Sequence, residues 1–560
     1  MNTPPDKYEL CKAERQRHID EILQSKSRHK IVVAGPGTGK TFLFKEILKG
    51  KRSALTLTFV NSLVEDLSLE LCGISEVKTL HGFARGVIGS VDSTVRIFPK
   101  LSQVIKRDAE SLLSEPVNFD TIFHAMDGRD DLVEFYKTRK NLYRHYGFTD
   151  IIYAAVKYLD QNQYRIPQFD QVIVDEFQDF NTLEVTLIDL LALKSPMLIA
   201  GDDDQSLYYF KKASPGHIRD RHGNDNRYES FNLPYCSRCT RVIVESVNDV
   251  INSAEQEGFL KERINKPYLY FEDERKNAEC TRYQKLSHVQ CFPKQIPYFI
   301  NKAIEKIAEE RRDKFSVLII APTKSRCQSV AKALQLKGLE NLSYVNQQVD
   351  DKLNLIDCLG LLSVDPRCNL GWRIAAQLYM DKAELDSLLS KTANAVAMDF
   401  VDLISDPVRG RIKRALSTFK KVRKEQTISD EDSARLCAEL SLNVHSLAQD
   451  SLRKKFSSCD PRVGNPAIRN IPIKITTIPS SKGLAEDYVF ILDFDDRFFL
   501  EKGEKCSDQK IYDFLVALTR ARRKVFLISC DTKQPKFLTW IRKERVEHVE
   551  IGAASKDVTL

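Results

Sequence analysis

The sequence predicts an α/β fold, because short apolar runs end in loops of glycine or acidic residues and are followed by segments with helical spacing. The run HKIVVA leads through a glycine-rich loop into TFLFKEIL, whose apolar residues recur with the period of a helix. Two further apolar runs, QVIV and PMLIA, are followed at once by Asp175 and Gly201. Buried strands that alternate with helices are typical of a parallel sheet.

Length and composition bound the class of protein. At 560 residues the chain exceeds the size at which one hydrophobic core stops growing, so we expect two or more domains, or one core with large insertions. With 42% hydrophobic residues, 29% charged residues and a net charge of +7, the composition is that of an ordinary globular protein with a mild preference for polyanions. The segment MNTPPDKYELCKAER lacks the apolar core of a signal peptide, and no apolar run is long enough to span a bilayer. We therefore expect a cytoplasmic protein that does not contact a membrane.

The loop AGPGTGKT predicts a phosphate site. Its backbone N–H groups and the start of the following helix would point at a phosphate, Lys40 would neutralise the outer phosphates, and Thr41 would ligate Mg²⁺. The general P-loop pattern has Gly where this chain has Ala34, so the match is to a variant. A glycine-rich turn that merely precedes a lysine is the alternative, which the strand before the loop and the helix after it disfavour. The predicted contacts in the loop are Ala34, Gly35, Pro36, Gly37, Thr38, Gly39, Lys40 and Thr41.

Two acidic residues follow the second apolar run. Asp175 is suited to hold Mg²⁺ through water, and Glu176 is suited to act as a base toward the attacking water. Many strands end in acids, so this pair alone is a weak signal. The P-loop upstream makes it a strong one.

The third run ends in GDDDQSLYYF, residues 201–210. Burying an unpaired carboxylate costs several kcal/mol, so we expect Asp202–Asp204 to line a wet cleft rather than a core. Gln205 at the tip of the strand would lie near the terminal phosphate. Tyr208 and Phe210 would then face a ligand that stacks on aromatic rings, which suggests nucleic acid bases.

Together these motifs resemble the UvrD, Rep and PcrA family of superfamily one helicases. The motifs that occur in the family's order are AGPGTGKT, LTFVN, TLHGF, DEFQD, GDDDQSLY, LPYCSRCTRVI, TTIPSSKGLAEDYVFI and VALTRAR. The resemblance implies two RecA-like P-loop NTPase domains with helical insertions, ATP and Mg²⁺ in the cleft between the domains, and single-stranded DNA across their top.

The resemblance also implies roles for individual residues. The catalytic set would be Lys40, Asp175, Glu176, Gln205, Arg238 and Arg520, with Mg²⁺ held by Thr41 and Asp175. Gln16 would read the adenine, Phe42 would lie beside the base, and Glu486 would lie near the ribose. The DNA path would include Phe59, Asn61, His81, Tyr208 and Phe210 in the first domain and Thr477 and Lys482 in the second.

The chain departs from the family pattern around the base and in two later motifs. Phe42 and Ser237 stand where the family has Arg and Tyr near the adenine, and Lys211 stands where it often has Arg. Glu486 lies one place late, and Pro479 replaces a common histidine. The phosphate and Mg²⁺ residues are unaffected, but a strict preference for ATP does not follow from this sequence.

The segments between the motifs predict the layout. We expect the ATP-binding domain 1A at 1–90 and 165–230, a helical insertion 1B at 91–164, domain 2A at 231–334 and 471–545, a reduced helical insertion 2B at 335–470 and a tail at 546–560. Within insertion 2B, VRGRIKRALSTFKKVRKEQ is a basic amphipathic helix, which is either a solvated face or a contact for duplex DNA or a partner.

Thirteen cysteines, an odd number, do not indicate a disulfide framework, and we expect mostly free thiols. Cys236 and Cys239 have the spacing of a metal or redox pair, but no second pair completes a zinc knuckle.

Two functions follow from these expectations. The first is an ATP-dependent DNA helicase or translocase that moves 3′ to 5′ on single-stranded or tailed duplex DNA. The alternative is a DNA-gated ATPase switch that licenses a partner such as a nuclease, for example in anti-phage defence, with little unwinding. A plain nucleotide-binding scaffold is disfavoured because the full catalytic set is present.

Overall fold

The computed structural model describes residues 7–551, except for 60, 127–128, 224–225, 312, 340, 346–352, 394–397, 424–428, 440–470 and 504. The end of the predicted second insertion, 440–470, and most of the predicted tail therefore lie outside the described residues.

The first sheet has six parallel strands in the order β3-β2-β4-β5-β1-β6. Its strands are β1 His29–Ala34, β2 Ala54–Thr58, β3 Glu76–Thr79, β4 Gln171–Val174, β5 Met197–Gly201 and β6 Tyr228–Leu233. In β2, β4 and β5 every residue is buried, as expected for a sheet covered on both faces. Because β4, β5 and β1 are neighbours, the loops that follow them meet at one edge of the sheet.

A second sheet is formed by later residues. After a short parallel pair, β7 Tyr235–Cys236 and β8 Leu269–Tyr270, seven parallel strands assemble in the order β11-β12-β10-β13-β14-β9-β15. These strands are β9 Leu286–Gln290, β10 Val317–Ala321, β11 Leu342–Tyr344, β12 Ile473–Thr477, β13 Glu486–Ile491, β14 Ala521–Ser529 and β15 Val546–Glu550. The predicted α/β fold with parallel sheets is confirmed.

Helices cover the first sheet and form an insertion within it. In chain order they are α1 Lys7–Gln24, α2 Lys40–Leu48, α3 Asn61–Glu70, α4 Leu80–Gly89, α5 Leu101–Leu112, α6 Phe119–Ala125, α7 Asp130–Tyr143, α8 Phe148–Gln161, α9 Thr182–Ala192 and α10 Gly216–Gly223. Side-chain caps define where several of these helices begin. At α9 the Asn181 side chain accepts a hydrogen bond from the Glu184 amide, and the Glu184 side chain accepts one from the Asn181 amide, which makes a capping box. We call α5–α8 the first insertion.

The remaining helices belong to the second sheet and to a second insertion. They are α11 Arg241–Gln256, α12 Glu274–Arg282, α13 Ile296–Glu310, α14 Lys324–Gln335, α15 Leu355–Val364, α16 Asn369–Tyr379, α17 Lys382–Lys391, α18 Phe400–Leu403, α19 Asp406–Arg423, α20 Asp430–Glu439, α21 Asp496–Phe499, α22 Asp508–Leu518 and α23 Lys536–Thr539. We call α15–α20 the second insertion. Within the described ranges, no helix combines the length and the apolar character that crossing a membrane requires.

The two helical insertions share one core, which the sequence did not predict. Their apolar side chains form a single cluster with one face of the first sheet. At its centre the fully buried carboxylate of Asp108 on α5 accepts hydrogen bonds from Arg139 Nε of α7 at 2.8 Å and from Arg373 Nε of α16 at 2.9 Å. Arg139 Nη1 also donates to the Thr392 carbonyl at 3.0 Å. Buried charges are tolerated when they are paired in this way, so the network fixes how α5, α7 and α16 meet.

Removal of the central carboxylate tests this arrangement. Asp108→Ala leaves two buried guanidinium groups without their anion, so we expect the free energy of unfolding of the helical core to fall by about 3–5 kcal/mol. Urea denaturation followed by tryptophan fluorescence measures the loss, because Trp372 lies in the same core at 2% exposure.

The matched control is Arg96→Ala. It removes a 3.4 Å ion pair between the segment before α5 and Asp365 after α15, which lies at the surface, so less than about 1 kcal/mol should be lost. Equal losses in the two variants would contradict a central role for Asp108.

Candidate nucleotide-binding site

The loop after β1 has the backbone geometry of a phosphate cradle. Gly37 and Gly39 have φ angles of +71° and +99°, which favour glycine, and the Thr38 hydroxyl donates to the Gly35 carbonyl at 2.9 Å. Ala34 is the last residue of β1 and lies in ordinary strand backbone, so its Cβ is accommodated where the general pattern has Gly. The loop then passes directly into α2 at Lys40.

Lys40 lies against the two acids that follow β4. Its Nζ is 2.9 Å from Glu176 Oε1 and 3.8 Å from Asp175 Oδ1. Burial disfavours the ammonium, but the two carboxylates outweigh it and raise the pKa of Lys40. Burial likewise disfavours the charged form of Glu176, but Lys40 and Lys482 hold the pKa of Glu176 well below its usual range. Glu176 is therefore ionised at neutral pH.

The backbone of Glu176 is in an unusual conformation. Its φ of +56° lies in the left-handed region, which residues with a Cβ rarely occupy, and its amide donates to Asp175 Oδ1 at 3.0 Å. Such strain is often found at functional sites, where the surrounding structure holds it.

The oxygen donors expected to hold Mg²⁺ lie at the same edge of the sheet. Thr41 is in the first turn of α2, and Asp175 directly follows β4. A hydroxyl and a carboxylate are ligands of the kind that Mg²⁺ prefers, so these residues fit the ion.

The acids after β5 do not line a wet cleft, which corrects the expectation for this stretch. Asp202, Asp203 and Asp204 are at most 5% exposed, and Lys266 binds all three, with its Nζ 3.0 Å from Asp202 and 2.8 Å from Asp204. Arg219 lies 3.0 Å from Asp203. Arg219 and Lys266 lie 16 and 63 positions beyond Asp203, so no motif around the acids indicates that they can be buried as pairs.

Gln205, at the tip of β5, contacts an arginine from beside the second sheet. Arg520 Nη2 donates to Gln205 Oε1 at 3.1 Å, and Gln205 Nε2 donates to Asp202 Oδ2 at 2.6 Å. Arg520 is 3% exposed, and burial together with the charge of Arg238 lowers the pKa of Arg520 to about 10. The structure therefore brings together Gln205 and Arg520, which lie 315 positions apart.

Arg238 lies directly on the P-loop. A Cβ placed on Gly37 would be 2.3 Å from the Cβ of Arg238, and the Ser237 amide donates to the Gly37 carbonyl at 2.9 Å. Gly37 is therefore required for this close approach as well as for its φ angle.

Lys482 does not face a DNA path in this arrangement, contrary to expectation. It is 3% exposed, donates to Asp179 and to the Gln205 carbonyl at 2.8 Å, and lies 3.5 Å from Glu176 Oε2. The buried carboxylates of the first sheet attract this ammonium, and the sequence contains no signal of that proximity.

Two residues on the P-loop were missed by sequence reasoning. Tyr268 donates to the Pro36 carbonyl at 3.0 Å, and its ring lies 2.8 Å from where a Cβ on Gly35 would be. Arg15 Nη2 lies 2.7 Å from the corresponding point on Gly39. Neither residue is part of a motif, so only the fold identifies them.

The residues expected around the base are spread out. Gln16 is exposed and donates to Asp20 at 2.8 Å, so its neighbour Arg15 is the side chain of α1 that reaches the loop. Phe42 is 45% exposed in the first turn of α2. Glu486, at the start of β13, accepts from Lys474 at 2.8 Å. The base contacts of Gln16, Phe42 and Glu486 stay predictions.

An aromatic cluster follows the tip of β5. The ring of Tyr208 lies 4.6 Å from that of Phe59 and 5.9 Å from that of Phe210, measured between centroids. Tyr208 is only 4% exposed and its hydroxyl donates to the Pro479 carbonyl at 3.3 Å, so it offers no free face here, in contrast to the prediction. Phe210 is 51% exposed, and so is its neighbour Tyr209 at 59%, which the sequence did not single out.

The other residues predicted on a DNA path have varied positions. His81 lies beside Phe148, with ring centroids 4.9 Å apart, and burial lowers the pKa of His81 to about 3, so it is neutral. Thr477 is buried at the end of β12. Asn61 begins α3, but its side chain lies outside the described residues.

Cys236 and Cys239 are both fully buried beside the P-loop. Across the described ranges, Asp202–Asp204 is the one group of three side chains close enough to share a metal ion, and cations already neutralise it. The structure thus brings no third ligand to the cysteine pair within the described residues.

Comparison with known proteins finds a similarity to UvrD-like helicases. Residues 43–224 match the model of the UvrD/REP helicase N-terminal domain. A probable DNA helicase II homologue of Mycoplasma genitalium is 24% identical over 469 residues, which is 74% of this chain and 63% of the relative. The putative ATP-dependent DNA helicase YjcD of Bacillus subtilis is 30% identical over 21% of this chain and 16% of its own length.

The chain also matches a short part of much longer proteins. The exonuclease/helicase protein RexA of Lactococcus lactis subsp. cremoris is 27% identical over 115 residues, which is 19% of this chain and 10% of that protein. The chain thus spans between a tenth and 63% of these relatives. Its P-loop, its DEFQD motif and its two parallel sheets agree with these matches: residues 43–224 match the N-terminal domain of UvrD/REP helicases, and the chain as a whole is similar to UvrD-like helicases.

Proposed function

We propose that this chain is an ATP-dependent DNA helicase and translocase that moves 3′ to 5′ along single-stranded DNA in the cytoplasm. The observation that carries the proposal is the meeting of residues from both sheets at one edge. Lys40 and Glu176 of the first sheet lie 2.9 Å apart, and Arg238 and Arg520 from beside the second sheet contact the P-loop and Gln205.

ATP binds with its phosphates on the P-loop amides in this proposal. Lys40 exchanges its contact with Glu176 for the outer phosphates, which frees the Glu176 carboxylate to accept a proton from the attacking water. Thr41 and Asp175 would hold Mg²⁺, which would neutralise part of the phosphate charge. Arg238 and Arg520 approach from the opposite side and stabilise the negative charge that develops on the transferring group.

Domain movement follows from the origin of these arginines. The proposed organisation follows the predicted layout, except that β6 extends domain 1A to Leu233 and β15 extends domain 2A to Glu550. Domain 1A supplies the P-loop and DEFQD, and domain 2A supplies Arg238 and Arg520. Because phosphates attract groups from both domains, binding favours a closed arrangement and release of phosphate favours an open one. Alternation of the two would move the domains along a strand.

In this proposal the segment 202–211 links the ATP site to the DNA path. Gln205 contacts Arg520 at one end of it, and Phe210 is exposed at the other end beside the aromatic cluster. Asp202–Asp204 hold the segment rigidly through Lys266, so a shift at Gln205 is transmitted rather than absorbed. Bases stacked on Phe210 and Tyr209 would then sense the state of the nucleotide.

A second candidate is a DNA-gated ATPase switch that licenses a nuclease, as in anti-phage defence, with little unwinding. The shared core of the two insertions favours it, since the buried Asp108 network joins α5, α7 and α16 into one body. The relative named as an exonuclease/helicase component indicates the class of partner. A strand-displacement assay on tailed duplexes, with and without co-purified proteins, separates the two: unwinding by the chain alone supports the helicase, and DNA-stimulated ATPase without unwinding supports the switch.

Glu176→Gln tests the general base. The variant should bind ATP and DNA but hydrolyse ATP at least ~100-fold more slowly, because the amide cannot take up the proton. Phosphate release measures the rate, and Glu76→Gln, at the exposed first residue of β3, is the control with unchanged turnover. Near-normal hydrolysis by Glu176→Gln would remove this residue from the mechanism.

Arg238→Ala and Arg520→Ala test the arginines of the second sheet. Each should lower turnover by roughly 10³-fold while ATP affinity changes much less, because each acts on charge that appears in the transition state. Arg522→Ala, an exposed neighbour of Arg520, serves as the control. Full activity in either arginine variant excludes that residue from the cleft chemistry.

Gln205→Ala and Phe210→Ala test the coupling segment. Phe210→Ala should weaken binding of single-stranded DNA by about 1–3 kcal/mol with basal ATPase spared, since one stacking platform is lost. Gln205→Ala should keep DNA affinity but abolish stimulation of ATPase by DNA. Fluorescence anisotropy measures the affinity for DNA, and phosphate release measures the ATPase rate. Tyr164→Ala, at a tyrosine that is 76% exposed, is the control. If the two variants change DNA affinity and ATPase stimulation in the same way, the coupling model is wrong.

A further inference from the structure

The first insertion contains a cavity that the proposed ATPase does not use. It has a volume of about 480 Å³ and lies between α6, α7 and α8. Phe123, Tyr136 and Asp150 are buried residues of its lining. The volume is within the range of about 300–1,000 Å³ that is typical of sites for small ligands.

Three lysines line the cavity. Lys137 and Lys140 come from one face of α7, and Lys157 comes from the facing side of α8. Among the described residues, neither Lys140 nor Lys157 forms a salt bridge. The Lys140 ammonium lies 3.8 Å from the ring centroid of Tyr146, and the Lys157 ammonium lies 5.6 Å from that of Tyr153. Asp130 is the one carboxylate beside them in the lining other than Asp150. Lys137 pairs with Glu134 at 3.4 Å, so Lys140 and Lys157 are the lysines of the lining that can receive an anion.

Asp150 gives the cavity a buried polar group. Its Oδ1 accepts from the Tyr136 hydroxyl at 2.9 Å and from the Gly147 amide at 2.6 Å, and its Oδ2 has no hydrogen-bond partner in the described structure. Asp150 is 4% exposed, and burial raises the pKa of its carboxyl to about 7. An unpartnered buried oxygen is costly, so a donor from a bound molecule would stabilise it.

Aromatic rings complete the lining. The ring of Tyr153 packs against that of Phe123 with centroids 4.9 Å apart, and Tyr136 lies 4.9 Å from Phe123 on the other side. Tyr153 is only partly buried and lines the cavity, so part of its side chain is open to a bound molecule. A planar ring with N–H donors and an attached anion matches the aromatic, carboxyl and lysine groups together.

We propose that this cavity binds a single nucleotide, with its phosphate on Lys140 and Lys157 and its base against Tyr153 near Asp150. The same chemistry is offered by a free nucleotide and by one nucleotide of a DNA strand. The site does not depend on the proposed ATPase, because none of its residues belongs to the P-loop or to the acids after β4 and β5.

Calorimetry on the full chain tests the site. Lys40→Ala is used as the background, since it removes binding at the P-loop, and the four deoxynucleoside 5′-monophosphates are the probes. We expect binding in this background and at least ~10-fold weaker binding when Lys140→Glu and Lys157→Glu are added. The control is Lys106→Glu, an exposed lysine of α5 outside the cavity, which should change nothing. Equal affinity with and without the cavity substitutions would overturn the proposal.

Two further measurements, with inorganic phosphate and with the Tyr153→Ala variant, test which part of the ligand is recognised. If inorganic phosphate binds as tightly as the monophosphates, the site is a simple anion site and the proposal is wrong. If Tyr153→Ala weakens monophosphate binding about 10-fold or more while circular dichroism stays unchanged, the base contact is supported.

Binding of a single-stranded oligonucleotide shows whether the cavity takes a free nucleotide or one nucleotide of a DNA strand. A DNA source predicts that monophosphates compete with the oligonucleotide and that the cavity substitutions weaken its binding. If the cavity takes a free nucleotide, monophosphates should still bind, but they should not compete with the oligonucleotide, and the cavity substitutions should not weaken its binding. Lys140→Glu with Lys157→Glu in the chain that retains Lys40 should leave basal ATPase unchanged, so this result is separate from failure of the ATPase proposal.

Discussion

The pairing of three buried acids with Lys266 is the interaction on which the arrangement of the two sheets depends. Asp202–Asp204 could not be buried at the end of β5 without a matching cation, because each unpaired carboxylate would cost several kcal/mol. Lys266 lies in the segment between α11 and β8, so the first sheet completes its edge with a residue that belongs to the later part of the chain. The acids therefore act as an attachment point between the tip that carries Gln205 and the later part of the chain.

The same principle governs the acids after β4. Glu176 is balanced by Lys40 from the P-loop and by Lys482 from the turn after β12, so cations from both sheets meet at one carboxylate. Any ligand that brings its own charge to this point, such as a nucleotide with Mg²⁺, must redistribute these contacts. This competition gives a physical reason why nucleotide binding should alter the contacts between the sheets. Glu176, whose backbone is left-handed, is thus the residue at which the two lysines meet.

Away from this edge, the helical insertions form one body around Asp108. Arg139 and Arg373 reach the same carboxylate from insertions that are more than two hundred positions apart along the chain. The cavity with Lys140 and Lys157 lies in this body, so a ligand there would contact helices that are already fixed by the shared core. Movement of one insertion alone would expose buried guanidinium groups, and the two are therefore expected to move together.

The parallel α/β fold, the P-loop and the acids at strand ends could be predicted from the sequence. These features are local: strand, glycine-rich loop and helix follow one another, and parallel strands bring their carboxyl ends to one edge. The sequence also identified Arg238 and Arg520, through a family resemblance. Three features became apparent only from the fold: Asp202–Asp204 and Lys482 are buried in ion pairs, Tyr208 is covered while Tyr209 is exposed, and Tyr268 and Arg15 lie on the P-loop. The reason is that charge pairing and burial depend on which distant residues meet, and neither spacing nor composition records that.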